Sequence, residues 1–224
     1  MKTPRLIEVR ANILKENDVL ARKLRERFQR AGVCVVSFVS SPGSGKTTFL
    51  EKLMARMAAR HRIAALVGDL ATENDAARLG RACPRVRQIV TGTVCHLDAK
   101  MVAAALEGWT LQDLDFLFIE NVGNLVCPSS YDLGEQMRVV LLSTTEGEDK
   151  PLKYPTIFNT ADVAMITKID LAVAAEFNLE AARRSILSVR PGMRILEVSA
   201  KSGAGMAEAE TLFDSLRAAA GEPA

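Results

Sequence analysis

The segment around residues 33–60 constrains the fold most. Val33 to Ser40 reads Val-Cys-Val-Val-Ser-Phe-Val-Ser, an almost unbroken apolar run that suits a strand buried on both faces of a parallel sheet. It leads directly into Ser40-Ser41-Pro42-Gly43-Ser44-Gly45-Lys46-Thr47-Thr48, and from Thr48 to Arg60 the apolar residues Phe49, Leu50, Leu53, Met54 and Met57 return at helical spacing. Strand, Gly-rich turn and helix in that order form a phosphate-binding loop, because glycines let backbone N–H groups approach phosphate oxygens and the helix N-terminus adds a positive dipole end. Gly43, Ser44, Gly45, Lys46, Thr47 and Thr48 are therefore expected to hold the phosphates. Lys46 supplies a point charge to the terminal phosphates and Thr47 a hydroxyl for Mg²⁺. The general pattern has Gly at its first position, where this chain has Ser40.

Further apolar runs follow at Ile63 to Val67, Val86 to Val90, Leu114 to Ile119, Met137 to Leu142, Val163 to Thr167 and Ile195 to Val198, separated by helical or loop segments. Such alternation predicts an α/β fold, a mainly parallel sheet covered by helices on both faces. Ile13, Leu14, Leu20, Leu24 and Phe28 recur at helical spacing over Ile7 to Arg30, so residues 1–32 are expected to form an N-terminal helical arm and 33–224 the nucleotide-binding domain. Leu97 to Leu106 reads as one more helix. Gly123 to Gln136 and Glu146 to Asn159 are long for structureless loops, which points to function.

Carboxylates at the ends of parallel strands face the ligand crevice. Asp69 closes the run beginning at Ile63, and Glu120 closes the run beginning at Leu114; Asp69, Asp75 and Glu120 are the candidates to work with Mg²⁺, Asp69 and Glu120 directly or through water. Gly123, three residues past Glu120, is placed to present its N–H to a γ-phosphate. Thr167-Lys168-Ile169-Asp170 and Ser199-Ala200-Lys201 each follow an apolar strand and resemble the guanine-recognition segments of P-loop GTPases, with Thr167 where Asn is usual. An ionised Asp170 is acceptor-only and matches the ring N–H and exocyclic amine of guanine. Adenine lacks that pair of donors.

Composition limits the partners. With 29 basic against 27 acidic residues the net charge is +2, which makes nucleic acid an unexpected partner. No apolar run approaches the roughly eighteen residues of a membrane span, and no secretory signal precedes the first helix, so no membrane is expected and the cytoplasm is the expected location. The four cysteines, Cys34, Cys83, Cys95 and Cys127, form no C-x-x-C pair; they are buried thiols or metal ligands. Cys95, His96 and Cys127 together offer two thiolates and an imidazole, a set suited to Zn²⁺ or Ni²⁺. Adjacent Cys95 and His96 do not easily close on one ion, and two copies of the site across a two-fold axis would complete the coordination.

Four stretches together resemble one family. They are Ser40 to Thr47, Thr91-Gly92-Thr93-Val94-Cys95-His96-Leu97-Asp98-Ala99, Phe118-Ile119-Glu120-Asn121-Val122-Gly123-Asn124-Leu125-Val126-Cys127-Pro128, and Thr145-Glu146-Gly147-Glu148-Asp149-Lys150-Pro151-Leu152-Lys153-Tyr154-Pro155. The chain is similar from about Ile7 to Met206 to the HypB hydrogenase nickel-incorporation GTPases, of the signal-recognition and nitrogenase-iron-like branch of P-loop proteins. The resemblance implies GTP/GDP and Mg²⁺ as cofactors, with Cys95, His96 and Cys127 as Ni²⁺ or Zn²⁺ ligands. It also implies a GTP-stabilised homodimer working with a HypA-type nickel chaperone on the hydrogenase large subunit precursor. The sequence begins at the amphipathic helix without the Cys-rich or His-rich N-terminal tracts of some members, so nickel storage is not expected. The urease GTPase carries Cys-Pro-His, whereas here Cys95 directly precedes His96, which favours hydrogenase. Other readings are a urease- or other metalloenzyme-maturation GTPase, a nucleotide-stabilised metal-binding module, and a small-substrate phosphotransferase, for which no acceptor site is evident. Hydrolysis is expected to be slow, since no Gln follows Gly123 and no internal arginine is evident; Lys150 or Lys153 is the candidate for a group donated across the dimer.

Overall fold

The computed structural model describes residues 5–69 and 74–221, with side chains over 12–69 and 75–219. The outermost residues of the two expected domains, 1–4 and 222–224, lie outside that range. Seven strands form one sheet: β1 (Cys34–Ser40), β2 (Ile63–Asp69), β3 (Val86–Val90), β4 (Phe116–Glu120), β5 (Met137–Ser143), β6 (Val163–Thr167) and β7 (Arg194–Val198). Their order is β3-β2-β4-β1-β5-β6-β7 and every pair is parallel. The helices are α1 (Arg5–Ala31), α2 (Lys46–Met57), α3 (Asn74–Leu79), α4 (Ala99–Ala105), α5 (Lys150–Lys153), α6 (Pro155–Thr160), α7 (Leu179–Val189) and α8 (Met206–Gly221). Among the described residues no helix is long and apolar enough to cross a membrane.

Every residue of β1 is buried, as a central strand in a two-sided sheet requires. Alternate residues feed opposite cores. Val36 and Phe38 pack with α2 and α8 on one face, where Phe38, Phe49, Phe118 and Phe213 meet edge-on or tilted at 5.8–6.1 Å between ring centres. On the other face Val35 joins Ala21, Leu24 and Phe28 of α1 and Val102 of α4, while Val39 joins α6 and α7. The amphipathic stripe of α1 thus shares a core with the sheet.

Three local differences from the sequence reading have physical causes. The helix expected from Leu97 begins at Ala99, because the Asp98 side chain accepts from the Met101 N–H at 2.7 Å and caps it there. The strand expected from Leu114 begins at Phe116, after Asp115 turns its carboxylate back onto Arg62. The segment 146–159 is not a loop: the prolines at 151 and 155 sit in the first turns of α5 and α6, where a missing N–H costs nothing.

Asp115 fastens the sheet edge opposite the phosphate loop. Its carboxylate accepts from the Arg62 backbone N–H at 2.8 Å and from the Arg62 guanidinium at 2.9 and 3.1 Å, and its carbonyl accepts from the Cys34 N–H at 2.9 Å. The starts of β1, β2 and β4 are thereby tied to one residue. Hydrogen bonds from Arg62 hold the carboxyl at about 2, below its ordinary 3.8. The folded state therefore binds this proton less readily than the unfolded chain, so the contribution is full above 3.8 and is lost as pH falls toward 2. Urea midpoints of wild type and Asp115→Asn measured across that interval should converge as pH drops; parallel curves would contradict the assignment.

Candidate functional site

At the carboxyl ends of β1, β2 and β4 the chain forms a cleft of about 500 Å³ lined by Gly43 to Thr48, Asp69, Asp75, Arg78, Glu120 to Gly123 and Lys168. The expected phosphate residues and all three expected acids stand in it together. Gly43 and Gly45 have φ of 73° and 94°, the left-handed conformation that bends the loop around an anion. Lys46 Nζ donates to Ser40 Oγ at 2.9 Å, and Ser40 Oγ also meets Ser44 Oγ, so the residue at the first motif position braces the loop from within. Burial pulls the Lys46 ammonium below its ordinary range against the opposing pull of Glu120, Asp75 and Glu146.

Register brings Glu120 here: Phe38 of β1 pairs with it on one side and Val67 of β2 on the other. Thr47 Oγ1 donates to Glu120 Oε1 at 2.6 Å, while the buried Glu120 Oε2 has no hydrogen-bond partner. Desolvation lifts this carboxyl to about 7, although the Lys46 charge and the Thr47 bond work to lower it. A buried hard oxygen without a partner beside a second hydroxyl oxygen fits a Mg²⁺ ion or its bound water.

A second pocket of about 200 Å³ adjoins the first and is lined by Thr167, Lys168, Asp170, Ala200 and Lys201 together with Phe49. Ser199 Oγ donates to Asp170 Oδ1 at 2.5 Å and so fixes the carboxylate. Thr167 Oγ1 reaches the Ser44 carbonyl at 2.7 Å, an intramolecular tie at the position where Asn is usual. Lys168 has φ 58°, a conformation costing an L residue about 1–2 kcal/mol. Two bonds hold it, from Thr144 Oγ1 to its carbonyl at 2.8 Å and from its Nζ to the Gly43 carbonyl at 2.6 Å.

Beyond Glu120 the chain runs to Cys127, whose Sγ lies 3.1 Å from Cys95 Sγ. Ligand atoms of Cys95, His96 and Cys127 all lie within 4.8 Å of one another. A single chain therefore brings the three side chains together, because residues 91–98 turn back before α4 begins. The His96 ring rests on Tyr131 at 4.0 Å between centres, its Nδ1 is buried without a partner, and burial lowers its proton affinity. An unprotonated imidazole with two converging thiols is a donor set for a soft or borderline ion.

Sequence reasoning missed Arg78, Asn121 and Tyr131. Arg78 stands in the cleft wall, donating to Thr48 Oγ1 at 2.9 Å and Glu51 Oε2 at 3.1 Å, so an internal arginine does border the phosphate site. Its signal was its place three residues after Asp75 on one helical turn. Asn121, next to Glu120, accepts from the N–H groups of Leu97 and Val122.

The nucleotide-binding domain model of the CobW/HypB/UreG family matches residues 34–197. Over 206 residues the chain is 48% identical to a hydrogenase maturation factor HypB of Rhizobium leguminosarum bv. viciae, covering 92% of this chain and 69% of that protein. It belongs to the HypB family. The Helicobacter hepaticus relative, described as a hydrogenase/urease maturation factor HypB, is 41% identical over 216 residues, covering 95% and 88%. The crystal structure of Helicobacter pylori HypB in complex with nickel superposes with a TM-score of 0.85 at 40% identity, covering 91% of this chain and 95% of that one. The chain thus shares its fold with that solved HypB structure.

Gly123 tests the fit between the β4 segment and the phosphate loop. A Cβ there would meet Pro42 Cα at 2.9 Å and Pro42 N at 3.0 Å, backbone that cannot swing aside. Gly123→Ala should lower stability by about 1–3 kcal/mol in a denaturant titration; an unchanged midpoint would show that the two segments slide freely.

Proposed function

We propose that this HypB-family chain is a slow GTPase that uses its nucleotide state to hold and release nickel during maturation of a [NiFe] hydrogenase. One observation carries the reading: Cys127 of the Cys95, His96 and Cys127 cluster sits on the same segment, Glu120 to Cys127, whose first residues line the phosphate cleft. Anything that moves Gly123 against the phosphate loop moves a thiol four residues further along the chain.

In this reading Lys46 and the Gly43 to Thr48 backbone bind the phosphates, and Asp170, oriented by Ser199, accepts both donors of guanine while the Ala200 N–H donates to its carbonyl. Thr47, Glu120 and Asp69 would hold Mg²⁺, with Asp75 beside them. That ion supplies charge neutralisation at the β- and γ-phosphates. Arg78 is already engaged by Thr48 and Glu51, which is consistent with unassisted turnover of roughly 10⁻⁴ to 10⁻² per second. Two copies would meet across the nucleotide face in the GTP state, with Lys150 or Lys153 supplying a charge to the partner. In the single chain Lys150 sits 3.5 Å from Glu146 and Lys153 2.6 Å from Asp149. Nickel is cargo here; a HypA-type chaperone and the hydrogenase large subunit precursor are the donor and recipient proposed for it, and Zn²⁺ the competing ion.

Two measurements test the reading. Competition binding should show GDP displaced by GTP and not by ATP, with Asp170→Asn weakening guanine nucleotides by tenfold or more; equal displacement by ATP would refute base selection. Nickel titration of wild type and Cys127→Ala, each with GDP and with a non-hydrolysable GTP analogue, should give different affinities in the two nucleotide states of the wild type only. Equal affinity and stoichiometry in all four conditions would overturn both the site and its coupling to nucleotide.

A further inference from the structure

The loop that carries Cys95 and His96 is held by three side-chain amides from two separate parts of the chain. Asn124 Nδ2 donates to the Cys95 carbonyl at 3.2 Å, and Asn121 Oδ1 accepts from the Leu97 N–H at 3.0 Å. Asn17 Oδ1 accepts from the Ala99 N–H at 2.9 Å. The first two belong to the Glu120 to Cys127 segment. Asn17 belongs to α1, 82 residues away in sequence, and its side chain is 6% exposed.

Asn17 makes a second bond. Its Nδ2 donates to the Asp132 carbonyl at 2.9 Å, one residue past the Tyr131 ring that rests on His96. The orientation of the amide is set by its partners, since an N–H requires the oxygen and a carbonyl requires the NH₂. One helical residue therefore closes a bridge between the two segments that bear the ligands: 95–99 on its acceptor side and 127–132 on its donor side. Arg25, two turns along α1, reinforces the second segment through two bonds to the Asp132 carboxylate at 2.7 and 2.8 Å.

We propose that Asn17 is a positioning residue for the metal site, fixing the separation of the Cys95–His96 loop from the Cys127–Tyr131 loop. The inference rests on the reading of Cys95, His96 and Cys127 as nickel ligands. Without the bridge the Ala99 N–H, a first-turn donor of α4, loses its acceptor, and the Tyr131 face is no longer referenced to the His96 backbone. The thiols and the imidazole then close on an ion at the cost of ordering two independent loops. Outer partners of this kind typically change metal affinity by about 10- to 100-fold.

The test is nickel binding by the full chain with GDP bound, followed by calorimetry and by the thiolate-to-nickel charge-transfer absorption. Asn17→Ala removes both bonds. Asn17→Asp keeps the size and the acceptor but sets a carboxylate oxygen against the Asp132 carbonyl. Both should weaken nickel by about tenfold or more and alter the absorption band, with GDP affinity within about twofold of wild type. Phe28→Leu, in the buried α1 stripe away from both loops, controls for loss of helix packing and should bind nickel as wild type does. Either Asn17 variant matching wild type in affinity and spectrum overturns the proposal, and so does an equal loss in Phe28→Leu. If wild type and Cys127→Ala bind nickel alike, the metal site itself is wrong, a result separable from failure of Asn17.

Discussion

The pairing of β1 with β4 is the contact on which the rest of the site depends. Phe38 opposite Glu120 places the exit of the phosphate loop's strand beside the exit of the strand that carries the acid, its amide neighbour and the cysteine loop. The register is held at depth by Phe38 against Phe118, and a slip of one residue would turn those rings to the opposite face and carry Glu120 away from Thr47. Gly123 against Pro42 then follows from chain geometry. The hydrophobic core and the chemistry are one arrangement here, since the rings that fix the strands also fix the distance between carboxylate and hydroxyl.

Burial gives the phosphate cleft its electrostatic character. Lys46 and Glu120 are both pushed by desolvation toward their neutral forms, each opposed by the charge of the other. A ligand bringing phosphate charge to the lysine and a divalent ion to the carboxylate relieves both penalties at once. Ser40 contributes by filling the space above the loop with hydroxyl bonds to Lys46 and Ser44, which makes its departure from the usual glycine compatible with the turn.

How much was legible in the sequence follows from how local each feature is. The phosphate loop, the acid at the end of β4 and the two base-pocket segments are short, follow apolar strands, and draw their meaning from neighbours a few residues away. Cys95, His96 and Cys127 were legible as residue types, but their convergence within one chain depends on how residues 91–98 turn and on strand register that no spacing encodes. Asn17 was invisible for the same reason, since it answers backbone groups 82 and 115 residues distant. The short helices α3, α5 and α6 carry too few turns to show a period, and the prolines of α5 and α6 read in the sequence as loop residues.

The close seat of α1 on the segment after Tyr131 has a consequence for modularity. A Cβ on Gly134 would lie 2.8 Å from the Ala21 carbonyl and 2.9 Å from Leu24 Cβ, so the two backbones touch with no side chain between them. Gly134 also has φ 81°, which restricts the position to glycine on conformational grounds as well as steric ones. Such an interface cannot be rebuilt by an arbitrary helix in a fusion or a chimera, because the recipient surface is a mould of this backbone and not a general apolar patch. Helix and sheet are therefore one structural unit, and neither Asn17 nor the junction where the first strand begins tolerates an insertion that shifts α1 on this seat.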